Sequence, residues 1–286
     1  MAVFLCVLVA VGYVASYQTG NPAVLYFAVG LSVVMNIAGY WFSDKVAIAA
    51  SGAREASEIE FRELHRITEN LCIAAGLKKP RLYVIDDPQP NAFATGRNQD
   101  NAAVAVTSGL MARLDRNELE GVIAHELAHI GNRDILLQSV VVVLVGAVAL
   151  VSDILVRASF SSGGDSKEGK HPILLVLGVV FLVLSPLVAT VIQLAISRKR
   201  EFMADATGAL ITRYPEGLAS ALEKISDYHS PMTKANKATA HLFFASPFGG
   251  DHDGDGVSDR HQKVGWFSKL FLTHPPVEER IKALRG

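Results

Sequence analysis

The sequence has little charge and little cysteine for its length. Only 19% of its 286 residues are Asp, Glu, Lys or Arg, and the formal net charge is −1. A near-neutral chain lacks the basic surface with which proteins hold nucleic-acid phosphates, so we predict no nucleic-acid partner. The two cysteines, Cys6 and Cys72, lie in apolar or helix-like segments. We therefore expect neither a disulfide nor a sulfur ligand for a metal.

Polar interruptions are scarce in four apolar runs, which raise the hydrophobic content to 50%. The runs cover residues 1–15, 23–42, 135–156 and 173–196. The last two exceed the ~20 residues that an apolar helix needs to cross a bilayer core, whereas the first run is short. We predict two transmembrane helices within 1–43 and a transmembrane hairpin over 135–196. One alternative is a cleaved signal peptide at the N-terminus, although the first run lacks the basic segment with which such a peptide begins. The other is that the last two runs are core helices of a soluble protein.

Basic residues border the apolar runs unevenly. They follow the second run, precede the third and follow the fourth: Lys45, Arg54, Arg133 and Arg198 to Arg200. The loop over 16–22 carries none. Loops rich in Lys and Arg tend to stay on the cytoplasmic side of a membrane. We therefore predict a multi-pass protein in which 44–134 and 197–286 form a cytoplasmic part.

The first cytoplasmic part reads as a helix followed by a small sheet. Residues 53–76 alternate charged and apolar positions at helical spacing and end at Gly76, which predicts a helix. Three strand-like runs follow, separated by turn-forming residues: 81–85, 91–95 and 102–106. A small sheet followed by a long helix is compatible with a metallopeptidase core.

That long helix carries the strongest chemical signal, His-Glu-Leu-Ala-His at 125–129. Asp115 with Glu118 three residues later is a capping-box pattern that opens the helix. Two histidines four residues apart lie on one helix face, so both imidazoles can bind one zinc ion. Glu126 between them is placed to take a proton from a water that the metal activates.

A catalytic zinc ion takes three protein ligands and keeps one position open, so His125 and His129 need a third partner. Glu201 is the best candidate, because it opens the helix-like segment after the fourth apolar run. Asp205 lies one turn later on the same face, where it can accept a hydrogen bond from a ligating imidazole. The alternative is a solvated Glu and Asp beside basic residues. The ligand interpretation is favoured because His129 and Glu201 lie equally far, roughly 8–9 Å, beyond the ends of their apolar runs.

Four motifs in this order resemble membrane zinc metalloproteases of the HtpX type, in peptidase family M48. They are N-A-F-A-T-G at 91–96, H-E-L-A-H at 125–129, E-F-x-A-D at 201–205 and T-H-P-P-x-x-E-R-I at 273–281. The wider gluzincin group also includes the prenyl-protein (CAAX) endopeptidases. The resemblance spans nearly the whole chain. It implies an α-helical integral membrane protein with a cytoplasmic, mainly α gluzincin-like domain that carries a small β-sheet.

The resemblance also assigns roles to single residues. It implies that His125, His129 and Glu201 bind one zinc ion per chain, with Glu126 as the general base.

Two further residues gain roles in the same way. Asn91 would lie on an edge strand that aligns the substrate backbone, and an edge strand does offer unpaired main-chain groups to a peptide. His274 would stabilise the oxyanion, although such a histidine can also be an ordinary polar residue in a Pro-rich turn. Arg280 is a candidate ion-pair partner that organises the site.

The function implied is a zinc endopeptidase that cleaves misfolded or damaged membrane proteins at the cytoplasmic face of the bacterial inner membrane, as part of protein quality control under stress. Its partners would be polypeptides and the lipid bilayer. One alternative is a specialised processing peptidase of the CAAX type, which the small number of membrane helices disfavours. The other is a zinc-bearing scaffold without proteolytic activity, which the intact set of ligands and base disfavours.

One acidic loop stands apart from these motifs. Residues 251–259 match the first nine positions of a calcium-binding loop, but Gln262 stands where a bidentate glutamate is needed. A solvated acidic loop is the favoured interpretation.

Overall fold

The computed structural model describes only part of the chain: residues 20–141, 198–233, 239–248 and 275–286, with a few isolated positions before residue 20. By internal contacts the chain divides into two units, Met1–Phe42 with Val143–Val191, and Ser43–Val142 with Ile192–Gly286. The predicted runs over 1–15 and 173–196, most of the run over 135–156, the acidic loop 251–259 and His274 lie outside the described residues, apart from isolated positions in the first run.

Helix α1 covers Ala23–Ser51 and so continues beyond the second apolar run. Among the described residues, no single helix has the length and apolar composition to cross a membrane. Two helical segments joined at a sharp bend, Ala23–Val34 and Gly39–Ser51, meet that criterion only as a pair.

A four-stranded mixed sheet lies in the second unit. Its strands are β1 (Arg54–Glu55), β2 (Arg81–Ile85), β3 (Ala92–Thr95) and β4 (Ala103–Thr107), in the order β1-β2-β4-β3. β2 and β4 are parallel, and the two outer pairs are antiparallel. The prediction of three strands is confirmed to within one residue at each end, whereas β1 was not predicted. β3 pairs with β4 alone among the described strands, so it forms one edge of the sheet.

Helix α2 covers Arg62–Ala75, so the predicted helix over 53–76 is wrong in its first third. Arg54 and Glu55 instead pair with β2. The Arg54 guanidinium donates a hydrogen bond to the Glu60 carboxylate at 2.9 Å, across the turn that follows β1. The predicted end is confirmed. Gly76 takes a left-handed conformation with φ 65°, and its N–H caps the helix.

Side chains alternate between the two faces of the sheet and enter two separate hydrophobic clusters. Ala92 and Ala94 of β3 belong to the larger cluster, which contains much of the motif helix, α4 (Arg116–Gly131), and of α2. Phe93, between them, belongs to the smaller cluster on the opposite face. This alternation follows from the two-residue period of an extended strand. Both faces of β3 are therefore buried.

Helix α4 is the core helix of this unit, with buried positions along most of its length. It follows the short helix α3 (Ser108–Arg113), and the predicted capping box is confirmed. Asp115 accepts a hydrogen bond from the Glu118 amide at 3.0 Å, and Glu118 accepts one from the Asp115 amide at 2.8 Å. A second helical stretch begins three residues after α4, over 134–141.

Three helices from the later part of the chain complete the unit. They are α5 (Arg198–Thr212), α6 (Pro215–Ser226) and α7 (Val277–Arg285). α5 and α6 pack on α4, and α7 packs on α5 and α6. The approach of α5 to α4 is close, because a Cβ on Gly208 would lie 3.0 Å from the His125 backbone nitrogen. A glycine at this position lets the two site-bearing helices meet.

We expect Gly208→Ala to lower the free energy of unfolding by about 1–3 kcal/mol, because the added methyl group forces α5 away from α4. Gly131→Ala is the matched control at the end of α4, where a Cβ would meet only the Leu77 side chain at 3.7 Å. That control should leave stability unchanged or slightly raised. Urea unfolding followed by circular dichroism measures both. Equal losses in the two variants would contradict the close approach.

Candidate metal centre

Two helices bring the predicted metal ligands together. α4 contributes His125, Glu126 and His129, and α5 contributes Glu201 and Asp205. All five side chains are buried, His125 to 1% and Glu201 to 2% of their exposed areas. Histidines and carboxylates are rarely buried together without a partner of opposite charge or a metal.

The ligand atoms converge on one point. The Nε2 atoms of His125 and His129 lie 3.2 Å apart. The Glu201 carboxylate lies 3.5 Å from the Nε2 of His129 and 3.8 Å from that of His125. Tetrahedral zinc with ligands at ~2.0–2.1 Å holds those ligands roughly 3.3 Å apart, so the three spacings fit one zinc ion. Among the described residues, these three form the one group of His, Cys, Asp or Glu side chains with such convergence.

Each histidine is oriented by a carboxylate of its own. His125 Nδ1 lies 2.9 Å from Asp205 Oδ1, and His129 Nδ1 lies 3.1 Å from Asp134 Oδ2. A carboxylate at Nδ1 holds the proton on that atom, which leaves the lone pair on Nε2 for a metal. The sequence predicts Asp205 in this role but not Asp134. The signal in the sequence was an acidic residue directly before the third apolar run, but an acidic residue is also common at an ordinary helix start.

Arg280 holds the first of these carboxylates. Its Nε and Nη2 donate to the two oxygens of Asp205 at 2.8 and 2.7 Å. Its Nη1 lies 3.9 Å from the Glu201 carboxylate. Arg280 is 1% exposed, and a bidentate pair of this kind is a strong and directional contact. Arg280 is the only lysine or arginine buried among the described residues.

Negative charge exceeds positive charge around the ligands. Glu126, Glu201, Asp205 and Asp134 are all buried, against two guanidinium groups: the buried one of Arg280, and the partly exposed one of Arg200, whose Nε lies 3.8 Å from Asp134. Uncompensated buried charge is costly. A divalent cation between the ligands would offset this excess, so the donor set fits zinc in charge as well as in spacing.

The electrostatic environment separates the two imidazoles. Burial lowers the pKa of His125 to about 4, against the raising effect of Asp205, so its ring is neutral near pH 7. Burial also acts to lower the pKa of His129, but the hydrogen bond with Asp134 and the charge of Glu201 raise it above its ordinary value. Burial acts to raise the pKa of Asp205, but its hydrogen bonds with Arg280 and His125 bring it to about 2. Asp205 therefore stays ionised beside His125.

Asn91 lies directly before β3 and not within it. Its side chain is fully buried and bonds to a distant segment of the same chain. Oδ1 accepts from the Ala245 N–H at 3.0 Å, and Nδ2 donates to the Ala245 carbonyl at 2.8 Å. Phe244, the neighbouring residue, donates its N–H to the Ala92 carbonyl at 2.8 Å. Sequence reasoning missed this segment, because nothing local in residues 243–246 indicates a contact 154 positions away.

Comparison with known proteins identifies the family of this chain. The sequence pattern of peptidase family M48 matches residues 58–286. A protein named "Protease HtpX homolog" from Caldanaerobacter subterraneus is 44% identical over 100% of this chain and 92% of its own length. Proteins of the same name from Thermoanaerobacter pseudethanolicus and Pyrococcus furiosus are each 44% identical, over 99% and 100% of this chain and 91% and 92% of theirs.

Among solved structures, the crystal structure of S. mikatae Ste24p is similar in fold, with a TM-score of 0.53 and 20% sequence identity. The match covers 91% of this chain but only 58% of the Ste24p chain. At this identity the likeness concerns the fold alone. The predicted mainly helical architecture with a small sheet is confirmed, and so is the resemblance to HtpX-type metalloproteases. By the extent of the family match and the identity to these relatives, the chain belongs to peptidase family M48.

Proposed function

We propose that this protein is a membrane-bound zinc endopeptidase that cleaves misfolded or damaged membrane proteins at the cytoplasmic face of the bacterial inner membrane. The observation that carries the proposal is the buried convergence of His125, His129 and Glu201 around one point, with Glu126 on the same helix. Membership of a peptidase family supports hydrolysis of polypeptides. The names of the relatives support a protease of the HtpX type.

In this proposal His125, His129 and Glu201 hold the metal, and Asp205 and Asp134 fix the two imidazoles. Bound zinc supplies a Lewis acid that makes water acidic near neutral pH and polarises a carbonyl group. Glu126 takes the proton of the attacking water and gives it to the departing amine. Glu126 is not among the three converging ligands, and in this proposal its carboxylate moves that proton. Burial of this group keeps bulk water from competing for it.

His274 is proposed to donate a hydrogen bond to the oxyanion. It lies outside the described residues, so support comes from its motif. Arg280, six positions later in the same motif, lies against Asp205 at the centre of the site. The two intervening prolines, Pro275 and Pro276, lead directly into α7. One donor to an oxyanion is commonly worth roughly 10²–10³ in rate.

The membrane assignment is proposed from the apolar runs: helices within 1–43 and a hairpin over 135–196, which divide the catalytic part into 44–134 and 197–286. Exposed aromatic side chains of α1, among them Tyr26 at 74% and Phe27 at 72%, support contact with lipid. The basic residues that border the runs support a cytoplasmic catalytic part. A site near the bilayer suits loops that emerge from damaged membrane proteins.

We expect Glu126→Gln to lower cleavage of casein by about 10²–10⁴, because the amide cannot accept the proton of the attacking water. Zinc content should stay near one ion per chain in the detergent-purified protein. Glu120→Gln makes the same chemical change on the same helix, at a residue paired with Arg116, and should leave cleavage unchanged. Equal activity of Glu126→Gln and the parent chain would contradict the role of Glu126.

The two orienting carboxylates give a graded prediction for metal affinity. We expect Asp205→Asn and Asp134→Asn each to weaken zinc binding by roughly 10–100-fold, as for other groups that orient ligating histidines. Glu201→Ala should weaken it further, because it removes a ligand. Competition with a fluorescent zinc chelator measures all three. Tight zinc binding by Glu201→Ala together with full activity would rule out Glu201 as the third ligand.

A further inference from the structure

Residues 243–245 run along the outer edge of β3 in antiparallel order. The Phe243 ring packs edge-on against the Phe93 ring with centroids 5.1 Å apart, the Phe244 N–H bonds to the Ala92 carbonyl, and Ala245 bonds to Asn91. Residue numbers rise along this segment in the direction in which they fall along β3. We call residues 243–245 the edge segment.

The hydrogen bonds of the edge segment use the side of β3 that faces away from the sheet. Asn91 and Thr107 pair across β3 and β4, with the Thr107 N–H donating to the Asn91 carbonyl at 2.9 Å. In an antiparallel pair the next residue turns its main-chain groups the other way. The Ala92 carbonyl therefore faces the outer edge, where the Phe244 N–H reaches it. An incoming extended peptide would use the same group.

The Asn91 side chain hydrogen-bonds to both main-chain groups of a single residue in the edge segment. Its amide oxygen accepts from the Ala245 N–H, and its amide nitrogen donates to the Ala245 carbonyl. A paired donor and acceptor of this kind recognises any extended residue except proline, which has no N–H to donate. These contacts therefore fix the position of a backbone and do not depend on the identity of Ala245.

The Phe244 side chain is buried beside the proposed metal ligands. Its ring centroid lies 5.0 Å from that of His125 at an interplanar angle of 89°. The Arg280 guanidinium carbon lies 4.8 Å from the same centroid. Phe244 is 3% exposed. The ring thus contacts one proposed zinc ligand and the arginine that anchors the carboxylate behind it.

We propose that the edge segment is an internal pseudosubstrate: it occupies the peptide-binding edge of β3, and Phe244 fills the side-chain pocket of that site. This inference rests on the proposed endopeptidase function. A polypeptide substrate displaces the segment by making the same main-chain bonds to Ala92 and Asn91. The pocket then favours a large apolar or aromatic residue, followed by a residue held through its backbone by Asn91.

Displacement is a matter of competition between two peptides for one edge. Each hydrogen bond lost by the edge segment is replaced by one to the substrate, so the net cost lies mainly in exposing its rings. A protein whose site is closed most of the time shows an apparent affinity reduced by the open fraction. Weakening the edge segment should therefore strengthen peptide binding.

The test measures binding in the full chain carrying Glu126→Gln, loaded with zinc, so that bound peptide is not cut. The probe is a fluorescein-labelled hexapeptide, Leu-Phe-Phe-Ala-Ser-Pro, the sequence of residues 242–247. We expect added Phe244→Ala to tighten binding at least about tenfold by fluorescence anisotropy, since it empties the pocket. A peptide with Ala in place of the second Phe should lose that gain. Phe248→Ala, which removes a 40%-exposed ring from the same stretch, is the matched control and should change nothing.

Hydrogen exchange on the Glu126→Gln chain itself covers the case in which Phe244→Ala fails to fold. Saturating hexapeptide should speed exchange of the Phe244 and Ala245 amides if the segment leaves the edge. The proposal would be overturned if the peptide binds while the exchange rates of these amides stay unchanged. It would also be overturned if the Phe244→Ala and Phe248→Ala chains bind the peptide with equal affinity. In either case the segment is a permanent part of the fold. If instead the parent chain fails to cleave casein while the hexapeptide still speeds exchange of the edge segment, the hydrolytic function is wrong. The proposal that the segment occupies the edge then stands.

Discussion

Burial of excess negative charge around two facing imidazoles is the constraint on which this structure depends. Four buried carboxylates lie among the ligands, against the buried guanidinium of Arg280 and the partly exposed one of Arg200. Such a cluster is stable only if its oxygens are hydrogen-bonded and a cation lies between them. Burial acts to lower the pKa of His129, but Asp134 and Glu201 raise it, so the cluster favours positive charge at its centre. Zinc would supply that charge, which couples metal binding to the stability of the second unit.

The packing of the helices follows from this cluster. Ligands on α4 and α5 converge only if the helices approach closely, and Gly208 permits contact at the His125 backbone. Arg280 of α7 hydrogen-bonds to Asp205, and this contact joins α7 to the proposed metal ligands. The sheet lies on the other side of α4 and presents β3 beside the ligands. Helix α4 therefore carries two of the proposed zinc ligands and packs against β3, whose outer edge is the proposed peptide-binding edge.

The sequence was most informative where the chemistry is local. The spacing of His125 and His129 follows from helical geometry, and Asp115 with Glu118 predicts the start of α4 from a three-residue interval. Glu201 could be chosen because zinc requires a third ligand. Asp134 could not be distinguished from an ordinary helix start, because its role depends on the turn that brings it back to His129 Nδ1. The contacts of Phe244 and Ala245 were not predictable, since they arise from tertiary pairing with a strand far away in the sequence.

The most direct measurement of the central claim is zinc K-edge X-ray absorption by the full chain loaded with one equivalent of zinc. We expect two imidazole nitrogens together with oxygen ligands at about 2.0–2.2 Å, and no sulfur. The same spectrum for Glu201→Ala should keep both imidazoles and change the oxygen shell. A sulfur shell near ~2.3 Å, or the absence of imidazole scattering, would contradict a metal centre built from His125, His129 and Glu201.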